Sequence, residues 1–173
     1  MTDGPGAASP DLSAPSLRRR LASFVYEGVL LFGVLVTAEL VFAPLVQQRH
    51  ALHMRLWGMA FLFAVLGAYF VGFWCHGGQT LAMKTWRIRV VTRDGLPLTP
   101  LRALGRYLAA WLWFLPPLAM ASLQARRLGA AGTFAAVAVY MLAYASFPKL
   151  HRSRQFPHDI LSGTRLVASH PRA

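Results

Sequence analysis

The sequence is poor in negative charge. Only Asp3, Asp11, Glu27, Glu39, Asp94 and Asp159 are acidic, against 18 Lys and Arg, a formal net charge of +12 over 173 residues. Charged residues make up 14% of the chain, well below the roughly 25% of a soluble domain. With 55% hydrophobic residues and a mean hydropathy of +0.42, the deficit places the chain in a membrane class. A single cysteine, Cys75, excludes an internal disulfide and a cysteine-rich metal site. The sequence has no P-loop, no Rossmann glycine pattern and no zinc motif. It also has no Gly-x-Ser-x-Gly elbow that His76-Gly77-Gly78 would serve as an oxyanion loop. Enzymatic activity is therefore not expected, nor a cofactor, nor a metal. The basic residues flank apolar runs instead of forming one patch, so nucleic acid is not an expected partner. His50, His53 and His76 lack supporting carboxylates at metal-site spacing and read as interfacial.

What the chain does have is four apolar runs, at about 21–45, 56–75, 107–123 and 128–147. Each is near the roughly 17–25 residues that a spanning helix needs. The first follows Arg18-Arg19-Arg20 and could pass for a secretory signal. It exceeds a signal's roughly 7–15-residue apolar core, contains Glu27 and Glu39, and lacks a clear cleavage site, so it reads as a retained signal-anchor. Residues 1–17, rich in Pro, Gly, Ala and Ser, read as a disordered tail, followed by one membrane domain over 18–168 and a short tail at 169–173. Arg126-Arg127 leave room only for a tight hairpin between the last two runs. Pro116-Pro117 should kink the third. Ala64, Ala68 and Gly72 recur every four positions, a stripe suited to close helix packing; Gly28 and Gly33 suit the same role on the first run.

With the N-terminus in the cytoplasm, the inner side carries Arg18, Arg19, Arg20, Lys84, Arg87, Arg89, Arg93, Arg102, Arg106, Lys149, Arg152, Arg154, Arg165 and Arg172. Only Arg49, Arg55, Arg126 and Arg127 are left outside. The positive-inside rule thus puts both termini in the cytoplasm. Trp74, Trp86 and Tyr107 fit an inner aromatic belt and Trp57 an outer one.

Between the second and third runs, His76-Gly77-Gly78-Gln79-Thr80 breaks the helix, and Trp86-Arg87-Ile88-Arg89-Val90 alternates apolar and basic, the period of a half-buried strand. Arg93-Asp94-Gly95 suits a tight turn, and Thr99-Pro100 suits a helix start. In the tail, His158 to Ser162 reads as one helical turn, Gly163 as its cap and Thr164-Arg165-Leu166-Val167 as a strand that pairs with the Trp86 strand. That pairing would bring Asp159 to the inner surface near Arg89. The fold class expected is an all-α membrane protein of four transmembrane helices, with a small cytoplasmic β-strand element and cytoplasmic N- and C-termini.

Three stretches in this order resemble one family: Arg20-Leu21-Ala22-Ser23-Phe24-Val25-Tyr26-Glu27, then Gly78-Gln79-Thr80-Leu81 through Trp86-Arg87-Ile88-Arg89-Val90 and Asp94-Gly95, and last His158-Asp159 through Gly163-Thr164. They resemble the RDD family of bacterial membrane proteins, from about Arg18 to Val167. The resemblance places the family's arginine at Arg20 and its two aspartates at Glu27 and Asp159, with glutamate replacing the first aspartate. Ala82 stands where many members have glycine. The resemblance implies an inner (plasma) membrane location and, from some relatives, sodium–proton exchange.

The site residues follow. Glu27 lies in an apolar run, where a carboxylate is expected to sit well inside the bilayer and to face a partner or a watered cavity. It reads either as a proton- or cation-binding group or as half of a buried ion pair with Arg106 or Arg89. Arg20 shares its helix face but should snorkel to the headgroups. Asp159 is a second candidate ion group, or else a cap or docking contact. Glu39 either reaches Arg49, Arg55 or His53 at the outer surface or, facing inward, lines a vestibule for cations. Tyr140 and Tyr144, one turn apart, either line the bundle core or hydrogen-bond across helices. Two functions remain open: proton or monovalent-cation transport, which four short helices would support as a homo-oligomer, and a non-transporting accessory role whose basic inner face binds anionic lipid or a partner membrane protein.

Overall fold

The computed structural model describes residues 13–45 and 51–169. It is mostly helical, with α1 (Leu17–Leu45), α2 (Ala51–Cys75), α3 (Leu81–Thr85), α4 (Pro100–Ala110), α5 (Leu115–Leu150) and α6 (Pro157–Leu161). Two strands, β1 (Ile88–Thr92) and β2 (Thr164–Ala168), form an antiparallel pair. Three stretches are long and apolar enough to cross a bilayer: Leu17–Val41, Leu56–Cys75 and Arg127–Leu150. They correspond to the first, second and fourth apolar runs.

The third run is not one continuous helix. α4 stops at Ala110, a 3-10 turn occupies Trp111–Trp113, and α5 starts at Leu115. The cause is Pro116-Pro117, which lack backbone donors and are tolerated best in a first turn, where N–H groups have no partner within the helix. α5 is itself divided by Gly129, whose φ of 65° and ψ of 178° are not helical. The part of α5 beyond Gly129 runs back to the 3-10 turn: the Tyr140 hydroxyl donates to Leu112 O at 2.5 Å, and Trp113 Nε1 lies 3.0 Å from Met141 Sδ. The hairpin is thus present, turning about midway between those pairs.

The bundle is inverted relative to a soluble one. Phe32, Leu40, Trp57 and Phe134 point outward, whereas the buried residues of α1 over 17–41 are Arg20, Ser23 and Glu27. Their spacing puts all three on one helix face. Hydrocarbon selects that inversion, because only the polar stripe needs protein partners there. The expected close-packing stripe faces outward as well: Ala64 and Ala68 are exposed, and a Cβ on Gly72 would meet nothing within 4 Å. Gly28 and Gly33 are likewise open. The glycine that does admit a neighbour is Gly67, where an added Cβ would come within 3.2 Å of the Tyr107 ring.

The ordered core lies at one end, beneath the helices. There Ile88, Val90 and Leu166 of the sheet pack with Trp74, Leu98, Ala103, Tyr107 and Phe156. Trp74 and Tyr107 thus belong to this core rather than to an exposed aromatic belt. β1 begins at Ile88 rather than Trp86, because Arg87 is in the left-handed region at φ 52°. The start of α1 is fastened to the same end. Arg19 Nη2 donates to the carbonyls of Trp86 and Arg87 at 2.6 and 2.9 Å. Ser13 O, from the stretch expected to be a tail, accepts from Ala168 N at 3.0 Å. Three separate stretches of chain therefore meet in one cap.

Candidate ion site

Glu27 is 7% exposed. Tyr69 of α2 donates its phenolic proton to Oε1 at 2.7 Å, and Thr80 donates its hydroxyl proton to Oε2. Among the described residues no Lys, Arg or His reaches it. The two glycines after α2 make this arrangement. Gly77 and Gly78 have φ of 144° and 73°, which turns the chain back toward α1. Thr80 then caps α3, accepting from Met83 N at 3.2 Å while giving its proton to Glu27. One hydroxyl is thereby used as both acceptor and donor.

α3 packs against α1, so Glu27 lies where the cap meets the bundle. The rest of α1 beyond it, Gly28 to Leu45, is long enough for about 27 Å of rise. That is nearly the roughly 30 Å of a hydrocarbon core.

The expected arginine partners of Glu27 are placed elsewhere. Arg106 Nη2 pairs with Asp159 Oδ1 at 2.7 Å, with side chains 5% and 0% exposed. The guanidinium also stacks over Trp74, 4.5 Å from the ring centroid. Asp159 sits in the first turn of α6, where Oδ2 accepts from Phe156 N at 3.4 Å. Because α6 packs on α4, Asp159 meets Arg106 and not Arg89. Arg89 lies on β1 across from Val167 and forms no ion pair among the described residues.

His158 fills the space beside this pair. Its Nδ1 is 2.9 Å from the Tyr144 hydroxyl, and its ring lies nearly parallel to those of Tyr144 and Phe156, which also contact each other. Burial pushes its pKa down to about 4, with Asp159 pulling it up and Arg106 pushing it further down. His158 is therefore neutral near pH 7, and its 3.7 Å approach to Asp159 is not a charged pair there. Tyr140 and Tyr144 both bond across the bundle, to Leu112 O and His158.

Arg20 does not snorkel. It is 5% exposed, donating from Nε to Pro15 O at 3.0 Å and from Nη1 to Arg154 O at 2.7 Å, over the Phe156 ring. The helix start is folded into the cap, so the guanidinium finds carbonyls before it finds water. Glu39 is exposed, which leaves an inward-facing vestibule without its carboxylate. Arg49 and the side chains of His53 and Arg55 lie outside the described residues.

Sequence reasoning missed Tyr69 and Thr80, 42 and 53 residues from Glu27. Thr80 carried a usable signal, a cap residue straight after a glycine break. Tyr69 carried none beyond being a hydroxyl in an apolar run. Among the described residues no three His, Cys, Asp or Glu side chains gather into a metal set.

Outward apolar helices, an inward polar stripe and a basic cap define a multi-pass membrane protein. The model of the RDD family matches residues 14–163, nearly the whole chain, and the chain belongs to that family. No curated protein and no solved structure matches it.

Proposed function

We infer that this protein moves protons or a monovalent cation across a bacterial inner membrane, with Glu27 as the ion-binding carboxylate. The observation that carries this reading is the contrast between its two buried acids. Asp159 has a guanidinium, whereas Glu27 has two hydroxyls and, among the described residues, no fixed positive charge. A buried carboxylate is costly unless it is paired, and an exchangeable ion supplies the missing charge. The carboxylate, the phenol and the threonine hydroxyl are all oxygen ligands, which suit a small hard cation. Asp159, already neutralised by Arg106, anchors the cap rather than forming a second ion site.

Four passes with both termini in the cytoplasm fit this arrangement. The sheet ties the segment after α2 to the C-terminal strand at one end of the bundle, so the chain between them leaves that end and returns. α4 with the first half of α5 forms one pass and the second half the other. That end also carries most of the Lys and Arg, as the positive-inside rule requires of a cytoplasmic face. The outward small residues Ala64, Ala68 and Gly72 are placed where a second copy would pack.

The test is cation-driven proton movement in inside-out vesicles at matched membrane expression. Glu27→Gln is expected to lose exchange, and Glu27→Asp to retain a part of it. Exchange undiminished in Glu27→Gln would overturn the reading, as would its absence from the parent with Na⁺, K⁺ and Li⁺ all tried.

A further inference from the structure

The two-stranded sheet has two unlike faces. Its register turns Ile88, Val90 and Leu166 into the core and leaves Arg89, Val91, Arg165 and Val167 on the opposite face. Arg93 continues that face, because its N–H bonds Gly163 O and extends the ladder by one step. Arg165 stands across from Val91, which makes it a diagonal neighbour of both Arg89 and Arg93, roughly 7–8 Å away. Three guanidiniums thus surround two valines, each 5% exposed.

Like charges on neighbouring strands repel unless something of opposite sign lies among them. Nothing in the described chain does. Neither Arg89 nor Arg165 forms an ion pair or donates a side-chain hydrogen bond among the described residues. Arg93 uses one Nη on Ile160 O at 2.7 Å. Asp94, the acid nearest in sequence, is exposed in the turn and pairs with none of them among the described residues. The Nε atoms of Arg89 and Arg165 are both shielded from solvent without an acceptor, whereas their Nη groups are neither shielded nor bonded among the described residues and stay open to a ligand. A buried donor left unmade is costly. Gly78 produces the shielding at Arg89, since its main chain lies so close that an added Cβ would sit 3.2 Å from Nε.

We propose that this face of the sheet is a binding site for a phosphate group, held chiefly by Arg89 and Arg165 with Arg93 as a third contact. A guanidinium presents a planar fork of donors that matches an oxyanion, and the terminal Nη groups of two of them facing one tetrahedral phosphate would offset the mutual repulsion. The phosphate belongs either to an anionic phospholipid headgroup beside the cap or to a soluble phosphate. The site is independent of Glu27 and stands whether or not the protein transports ions.

The experiment uses the purified full-length protein in detergent, titrated with phosphatidylglycerol, with phosphatidylcholine and with inorganic phosphate or pyrophosphate. Binding is followed by native mass spectrometry and by thermal stabilisation. The expected result is binding of phosphatidylglycerol or of inorganic phosphate, weakened at least tenfold in Arg89→Gln/Arg165→Gln and unchanged in Lys149→Gln/Arg152→Gln, which removes the same charge from exposed positions. Binding of phosphatidylglycerol alone assigns the site to a headgroup; binding of inorganic phosphate assigns it to a soluble anion. Three results would overturn the proposal: no probe binds, binding survives in the arginine pair, or the charge-matched control loses it equally. Should the pair variant fail to fold, Arg165→Gln alone is read against the same outcomes.

Discussion

Arg106 and Asp159 form the only Arg or Lys ion pair among the described residues, and both are buried. Removing one member leaves the other charge uncompensated, which for a buried pair costs about 3–5 kcal/mol. Arg106→Met should therefore destabilise the cap strongly. Arg106→Met combined with Asp159→Leu should recover much of the loss, as seen in a double-mutant cycle of thermal unfolding in detergent. Equal and additive losses would mean that the pair is not coupled. His158 adds a pH dependence. Its folded pKa, near 4, lies below the 6.5 of an unperturbed histidine. The unfolded chain thus takes up a proton that the folded one refuses, and stability falls as pH drops from about 6.5 toward 4. His158→Asn should flatten that limb; an unchanged slope would show that other groups set it. None of these contacts could be read from sequence. His158-Asp159 was visible as a helical turn, but its partner Arg106 lies on another helix, and only the docking of α6 on α4 chooses it over Arg89.

At the level of elements, the long apolar runs, the Thr99-Pro100 helix start, the α6 turn and the pairing of the two strands were all legible, because each follows from a periodicity or a cap. Two features were not. α3 has five residues, too few for any periodic signal, and the kink expected at Pro116-Pro117 falls ahead of them, as the 3-10 turn at Trp111–Trp113, because the prolines take the first turn of α5. The glycines give a direct check on the turns that place the site. A Cβ on Gly78 would lie 2.5 Å from Val90 O at a φ of +73°, whereas Gly129, at +65°, has nothing within 4 Å. Gly129→Ala meets no neighbour but must hold a φ of 65° and ψ of 178°, a region populated essentially by glycine alone, at a cost of about 1–3 kcal/mol. Gly78→Ala must also move β1 or the Thr80 turn. Gly78→Ala should lower the unfolding temperature in detergent by much more than Gly129→Ala, and similar shifts in the two would contradict the close approach of Gly78 to β1.

Across the whole molecule, polarity is sorted by end and by face. The basic residues gather at the cap, the apolar side chains face outward along the helices, and one polar stripe on α1 faces in, with Glu27 at its upper end. The sorting was legible from composition, and Glu27 stood out as an acid in an apolar run. What held it was not, because helix register rather than charge brought Tyr69 and Thr80 to its two oxygens. The central claim is that Glu27 takes the exchanged ion. Its most direct test is the ion-induced infrared difference spectrum of the purified protein in the carboxylate region, recorded on adding Na⁺, Li⁺ or K⁺. The prediction is a carboxylate band that shifts with one of these ions in the parent and in Glu39→Gln, and that is missing from Glu27→Gln. No carboxylate change with any of the three, or the same change in Glu27→Gln as in the parent, would contradict it.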